Sequence, residues 1–93
     1  MRVRFFAYIR NMTGCTEAEI PYQETAGSLA RSLCERYGSQ LKHKIFPDGC
    51  GEEKFGPEII ILINGRHVSH LGGYAAPLKP DDHVDIFPVV AGG

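Results

Sequence analysis

The chain opens with a regular alternation of apolar and other side chains. Over residues 2–9 the apolar face is formed by Val3, Phe5, Ala7 and Ile9. A period of two is typical of a strand with one buried face. Residues 11–14 carry turn-forming side chains, and residues 16–22 alternate again with Ala18 and Ile20 inward. The two stretches predict an antiparallel hairpin.

The period then changes to that of a helix. Apolar side chains recur at spacings of three and four residues at Ala26, Leu29, Ala30, Leu33 and Tyr37. Thr25 precedes this stripe, and its hydroxyl group is suited to accept a hydrogen bond from the first free amides of a helix. We expect the helix to span about residues 27–37 and to end at Gly38 in the left-handed helical conformation.

Residues 39–58 are the least regular part of the chain. A structureless loop of this length is unusual in a compact domain, so we expect a short helical turn over residues 40–45. A mobile, glycine-rich loop is expected at residues 48–51.

A second group of strands is predicted downstream. Ile59–Ile63 is continuous and mostly β-branched, which favours a central strand that is buried on both faces. Asn64-Gly65 is the pair most typical of a two-residue hairpin, and residues 66–68 are the expected returning strand.

The last predicted strand covers residues 82–90. Val84 and Ile86 are expected to face inward, and Phe87 to lie on the opposite face. Pro88 has no N–H group, so the chain is expected to leave the ladder there or to lie at an edge.

The predicted order is β-β-α, a short helix, and then three strands. This order favours an α+β fold with a mixed sheet of four to five strands and one main helix packed on one face. The first and last strands are expected side by side and parallel in the centre, which is the ubiquitin-like β-grasp arrangement. We predict one domain over residues 1–93, with a flexible tail at residues 89–93.

Composition narrows the class of protein. The chain is 43% hydrophobic and 23% charged, with a net charge of −1 and a pI near 6.4, so no nucleic-acid partner is expected. The longest apolar run, Ile59–Ile63, is too short to span a membrane, and no signal-peptide pattern is visible. Three cysteines, an odd number at wide spacing, do not make a disulfide framework. We expect a cytoplasmic protein.

The most distinctive feature is the terminal pair Gly92-Gly93. An α-carboxyl group has a pKa of roughly 3.3–3.7, so it is ionised at neutral pH and is a poor electrophile. It reacts only after an activating partner has converted it to an anhydride. Glycine allows such a tail to enter a narrow site, because it has no Cβ atom.

Several segments resemble a known family. Residues 63–68, 77–84 and 86–93, together with residues 3–7 and 33–38, are similar to the MoaD/ThiS sulfur-carrier family. Within that family the chain most resembles the small subunit of molybdopterin synthase, since the thiazole-pathway carriers are usually shorter.

The resemblance implies a carrier that is not itself catalytic and binds no cofactor. A ubiquitin-activating-type adenylyltransferase would use ATP to adenylate Gly93, and a sulfurtransferase system would replace AMP with sulfur. The resulting Gly93 thiocarboxylate would donate its sulfur to a pterin precursor in the large catalytic subunit of molybdopterin synthase. The turn Pro80-Asp81-Asp82 and the pair Pro88-Val89 depart from the family pattern, which weakens the assignment to one pathway.

Two other functions use the same fold. In a ubiquitin-like modifier, the activated Gly93 would form an isopeptide bond with a lysine of a target protein. In a sulfur carrier for thiamine thiazole or another product, only the acceptor differs. A third hypothesis, a β-grasp module that only binds, does not need an unblocked terminus.

A carrier also needs a surface for its partners. Phe6, Tyr8 and Phe87 are predicted to point away from the helix and to cluster on adjacent strands, which favours a docking patch. The tail residues expected to contact partners are Val89, Val90, Ala91 and Gly92.

Metal and thiol chemistry receive less support. A plant-type iron–sulfur cluster needs four cysteines, so Cys15, Cys34 and Cys50 are too few. The candidate zinc ligands are His43, Cys50, His67 and His70, whose spacing is loose, and we expect no metal.

The individual thiols have simple interpretations. Cys34 is expected to be a small core residue. Cys50 is expected in an exposed loop, as an inert thiol or, with Lys44 or Lys54 nearby, a reactive one.

Overall fold

The computed structural model describes residues 1–47 and 54–89. Their strands, in chain order, are β1 (Arg2–Phe5), β2 (Glu17–Glu19), β3 (Ile59–Ile63), β4 (Arg66–His67) and β5 (His83–Pro88). The helices are α1 (Ile9–Thr13), α2 (Ala26–Tyr37) and α3 (Ser39–Ile45), with 3₁₀ turns at Val68–His70 and Gly73–Ala75. The predicted α+β fold is confirmed.

The strands form a five-stranded mixed sheet in the order β2-β1-β5-β3-β4. β1 and β5 are parallel neighbours, with Val3 beside Val84 and Phe5 beside Ile86. β1 pairs with β2, and β3 with both β4 and β5, in antiparallel fashion. The predicted central placement of the first and last strands is therefore confirmed.

The core lies between one face of the sheet and the helices, and we call this the covered face. Every second residue of β1, β3 and β5 enters the core, as their alternating burial shows. The largest side chains with less than 2% exposure are Val3, Phe5, Ile9, Ile20, Leu33, Leu41, Ile45, Val84 and Ile86. The other face of the sheet, the open face, carries the alternate residues.

The first strand is shorter than predicted. It ends at Phe5, because Ala7 has a φ of 52°, in the left-handed region, and turns the chain into α1. Ala7 is consequently exposed, and Ile9 reaches the core from a helix instead of a strand. Much of the predicted 11–14 turn belongs to α1, which ends at Gly14. The hairpin with β2 is nevertheless present.

The main helix begins as predicted. The Thr25 side chain accepts a hydrogen bond from Ser28 N at 3.1 Å, which satisfies an amide of the first turn. Gly38 ends α2 with φ 94° and ψ −166°, so the predicted left-handed helical cap is wrong. The reason is that Gly38 is also the residue before α3, and the extended ψ redirects the chain into the next helix. The short helix predicted near residues 40–45 is confirmed, and the predicted loop at residues 48–51 lies outside the described residues.

The second hairpin forms at Asn64-Gly65, whose φ angles are 52° and 82°, as a type I′ turn requires. Val68 belongs to a 3₁₀ turn and not to the returning strand. β3 was predicted to be buried on both faces, but Ile60 and Leu62 are only half-buried. The helices cover one face of the sheet, which leaves these two side chains on the open face.

Pro88 is the last residue of β5, opposite Ile59 of β3. Val89 N donates to Glu58 O, so β5 stays bonded to the β3 side at this point. The main-chain nitrogens of successive residues in β5 point alternately to β3 and to β1, so the nitrogen of Pro88 points to the β1 side. No strand pairs with it there, because β1 has already ended at Phe5. Proline is tolerated because this side of the strand is locally an edge, as predicted. No helix among the described residues is long and apolar enough to cross a membrane.

Candidate docking surface and tail root

Two predicted docking residues meet on the open face. The rings of Phe6 and Phe87 stack with centroids 4.2 Å apart and an angle of 10° between their planes. Ile60 lies opposite Phe87 on the neighbouring strand. Phe6, Phe87 and Ile60, all half-buried, are called the aromatic patch below.

A charged pair borders the aromatic patch. The Arg4 guanidinium donates to both carboxylate oxygens of Asp85, at 2.8 and 3.0 Å, and lies 5.5 Å from the centre of the Phe6 ring. The hydrogen bonds with Asp85 raise the pKa of Arg4 above its ordinary value. The aromatic patch and the bordering Arg4 therefore place apolar area beside an oriented, permanently charged group, a combination common at protein interfaces.

Tyr8 does not join the aromatic patch, and that part of the predicted cluster is wrong. Because the chain leaves β1 after Phe5, Tyr8 precedes α1. Its ring, 36% exposed, lies 5.2 Å from the ammonium group of Lys44 on α3.

Lys44 also forms an ion pair at the point where β5 ends. Its Nζ atom is 2.9 Å from Glu58 Oε2, and the main-chain oxygen of Glu58 accepts from Val89 N at 2.9 Å. The hydrogen bond to Glu58, followed by that to Tyr8, raises the pKa of Lys44, so the amine stays charged at neutral pH. We call Tyr8, Lys44 and Glu58 the tail-root cluster, and Val89 the tail root.

The tail root is accessible. The Val89 residue is 43% exposed, whereas Pro88 before it is buried. β5 is thus followed by a solvent-facing residue near both the aromatic patch and the tail-root cluster. The predicted tail residues Val90, Ala91, Gly92 and Gly93 lie outside the described residues.

Comparisons with known proteins identify the family. The model of the ThiS family matches residues 3–93. The chain belongs to the ThiS family. It is 36% identical over 95 residues to small archaeal modifier protein 3 of Haloferax volcanii, covering 100% of this chain and 98% of that protein.

Solved structures of relatives agree with the fold. The solution structure of small archaeal modifier protein 1 from Methanosarcina acetivorans has a TM-score of 0.84 and 34% identity, over 99% of this chain and 94% of that one. A chain of the BexX/CysO complex from Amycolatopsis orientalis has a TM-score of 0.80 and 26% identity, over 99% and 98%. This ThiS-family chain is thus a ubiquitin-like β-grasp protein of the group that contains small modifiers and sulfur carriers.

The other candidate residues that the structure describes are not assembled into a site. Within residues 1–47 and 54–89 no group of three or more histidine, cysteine or acidic side chains is placed to hold a metal ion. The His67 and His70 ring centres are 6.1 Å apart, and His67 Nδ1 lies 2.8 Å from Ser69 Oγ. These contacts explain the two histidines as part of a surface turn.

The cysteines fit structural roles in part. Cys34 is half-buried beside the core instead of fully inside it, and Cys50 lies outside the described residues. Cys15 Sγ lies 3.7 Å from the Tyr37 hydroxyl group.

Sequence reasoning missed both charged pairs. Arg4 and Asp85 become neighbours once β1 and β5 are paired in parallel, so a register prediction would have found them. Lys44 and Glu58 lie on α3 and just before β3, and no periodic pattern links these two positions.

Proposed function

We propose that the chain is a ubiquitin-like modifier whose Gly93 carboxyl group is activated with ATP and joined to lysine side chains of target proteins. The observation that supports this most is the 36% identity to small archaeal modifier protein 3 over the whole chain. The likeness to small archaeal modifier protein 1, at a TM-score of 0.84, points the same way.

The chemistry requires two steps on Gly93. A carboxylate oxygen attacks the α-phosphorus of ATP, pyrophosphate leaves, and an acyl adenylate forms. The neutral amine of a target lysine then attacks the acyl carbon, AMP leaves, and the amine loses a proton. The adenylate supplies the leaving group that the carboxylate lacks. Nucleotide binding and acid–base groups are assigned to the partner enzymes.

The structure supports such a role through the placement of its surfaces. The aromatic patch includes Phe87, two residues before the tail root, and the tail-root cluster includes Glu58, whose main-chain oxygen accepts from Val89 N. A partner that takes up the tail therefore finds both apolar area and charged groups near Val89, as expected for a transient interface.

A second candidate is a sulfur carrier, which the match to the ThiS family favours. Here hydrosulfide attacks the acyl carbon of the Gly93 adenylate and AMP leaves, giving a thiocarboxylate. If the persulfide of a sulfurtransferase delivers the sulfur, an acyl disulfide forms first, and a thiol reduces it to the thiocarboxylate. If the chain is a sulfur carrier, one acceptor of the sulfur is a pterin precursor bound in the large subunit of molybdopterin synthase. This choice of acceptor rests on the sequence resemblance. The two candidates share their first step, so one protein is able to serve both.

Intact-mass spectrometry separates these functions. The chain is incubated with the ubiquitin-activating-type enzyme of its host, ATP and a sulfide source. A mass gain that matches replacement of one oxygen by sulfur, mapped to Gly93, supports the carrier. Absence of any ATP-dependent turnover with an active enzyme contradicts both candidates and favours a module that only binds.

The modifier is tested in cells. An Ala91→Arg variant leaves a Gly-Gly remnant on target lysines after trypsin digestion, which identifies the conjugates. Gly93→Ala in that background is the matched control, and one residue added after Gly93 is a second. In the controls the digest is searched for the remnants that they would leave, which are Gly-Ala for Gly93→Ala and Gly-Gly plus the added residue for the extended tail. Both controls are expected to leave no remnant of either kind while the fold is retained. Remnants found in them at the frequency of the parent variant contradict the requirement for a terminal Gly93.

A further inference from the structure

The length of the tail restricts where an enzyme can bind. Four residues, 90–93, follow Val89 in the sequence. At roughly 3.3–3.6 Å per residue, they extend at most about 14 Å from the tail root. An active site that reacts with Gly93 lies within that distance of Val89. The body of the enzyme therefore covers the residues around the tail root.

Two groups of different character lie near the tail root. One is the aromatic patch on the open face, an apolar surface. The other is the tail-root cluster, in which Tyr8, Lys44 and Glu58 are brought together from three separate segments. Glu58 is bonded through its main chain to Val89 itself.

The geometry of the cluster presents a carboxylate to solvent. The Glu58 side chain is 64% exposed, whereas that of Lys44 is 25% exposed. Lys44 engages one carboxylate oxygen, Oε2, and a carboxylate has two oxygens with about four acceptor sites. The Lys44 ammonium group also lies 5.2 Å from the centre of the Tyr8 ring. The carboxylate is thus oriented by Lys44 and open to a second donor.

We propose that the tail-root cluster is a second docking contact for the ATP-dependent activating enzyme, in which Glu58 receives an arginine or lysine side chain of that enzyme. Lys44 and Tyr8 position Glu58 and do not themselves react. This proposal rests on the proposed function, since both need an enzyme that activates Gly93. It adds to the apolar contact at the aromatic patch a requirement for a negative charge at Glu58.

A second exposed carboxylate in an ion pair provides a matched control. Glu19 Oε2 lies 3.2 Å from the amino group of Met1, and the Glu19 side chain is 73% exposed. Glu19 is opposite Arg2, and Arg2 is beside His83, the first residue of β5, so this pair lies at the end of the sheet opposite the tail root. An enzyme held by the four-residue tail has no reason to contact it.

The test uses charge exchange. Three variants are prepared: Glu58→Gln, the double variant Lys44→Glu/Glu58→Lys, and the control Glu19→Gln. The exchanged pair keeps an internal ion pair but reverses its orientation. Thermal unfolding of each variant checks the fold. Pyrophosphate release by the host's activating enzyme gives kcat and KM at low and high salt, and enzyme binding is measured separately.

We expect Glu58→Gln to raise KM roughly three- to fivefold with little change in kcat. This is the change in affinity expected from the loss of one exposed ion pair. The exchange at Lys44 and Glu58 is expected to raise KM at least as much, because like charges then meet. High salt is expected to reduce both effects. The control Glu19→Gln is expected to leave KM unchanged.

Two results overturn this proposal and leave the proposed function intact. If Glu58→Gln has the wild-type KM, or if the exchanged pair restores it, the cluster only stabilises the fold. In both cases the wild type is still activated, so the proposed function stands. If the wild type is neither bound nor activated by the enzyme, both proposals fall.

Discussion

The two faces of the sheet differ sharply, although they are built from the same strands. On β5, Ile86 is 1% exposed and packs in the core, whereas its neighbour Phe87 is half-buried on the open face. On β1, Phe5 is 1% exposed, whereas Arg4 is exposed and paired with Asp85. Successive side chains of a strand point to opposite faces, so each strand serves both surfaces at once.

This difference teaches how a small domain separates stability from recognition. Burial of apolar area on the covered face is the main source of folding free energy. The open face has aromatic rings and an ion pair near water, where such groups contribute little to stability but much to complementarity with a partner. Substitutions on the two faces are therefore expected to affect different measurements.

The largest expected effect comes from neighbouring residues on β5. Ile86→Ala is expected to lower the free energy of unfolding by about 2–5 kcal/mol, because it leaves a cavity in the core. Phe87→Ala is its matched control and is expected to cost less than about 1.5 kcal/mol, the value of one aromatic pair. Urea unfolding measures both. Equal losses would contradict the division between the faces.

A second prediction concerns the helix layer over the covered face. A Cβ atom at Gly27 would lie 2.4 Å from the Tyr74 ring, so Gly27→Ala forces that ring to move. The net cost is expected to be about 1–2 kcal/mol, since overpacking exceeds the gain in helix propensity. In a Tyr74→Ala background the same change is expected to be neutral or stabilising, measured by a double-mutant cycle. A cost that persists there would show that Tyr74 is not the cause.

A third prediction sharpens the role of the open face. Phe6→Ala removes half of the aromatic pair and is expected to raise KM for activation by roughly five- to tenfold, or about 1 kcal/mol. Tyr22→Ala is the control, because Tyr22 is 44% exposed and follows Ile20, which is bonded to Met1 at the far end of β1. The measurement is pyrophosphate release with thermal unfolding. A lower melting temperature with unchanged KM would place Phe6 among the stabilising residues instead.

The smallest expected effect is on the pH dependence of stability. Burial, followed by the hydrogen bond with Cys15, raises the pKa of Tyr37 above its ordinary value of 10.0. The folded state therefore favours the neutral phenol, and this contribution is complete below pH 10 and is lost as the pH rises through the folded pKa. Melting temperatures between pH 8 and about pH 11 are expected to fall less steeply for Tyr37→Phe than for the wild type. Identical slopes would contradict the contribution of Tyr37.

Much of the fold was predictable because local patterns determine local structure. The alternation in β1 and β5, the Thr25 cap and the Asn64-Gly65 turn each follow from side-chain chemistry within a few residues. The parallel pairing of the first and last strands followed from their order with the helix. The stacking of Phe6 on Phe87 then followed from the side on which each residue falls.

The tertiary structure alone decided where β1 ends and what surrounds the tail root. Ala7 takes a left-handed conformation that its sequence does not favour, and this moves Tyr8 from the open face to Lys44. Lys44 and Glu58 are polar residues on different segments, so no hydrophobic period relates them. The sequence by itself determined most of the residues that avoid water, such as Val3, Leu33 and Ile86, since that depends on side-chain type and spacing. Only folding decided which exposed groups meet, since that depends on the path of the chain between them.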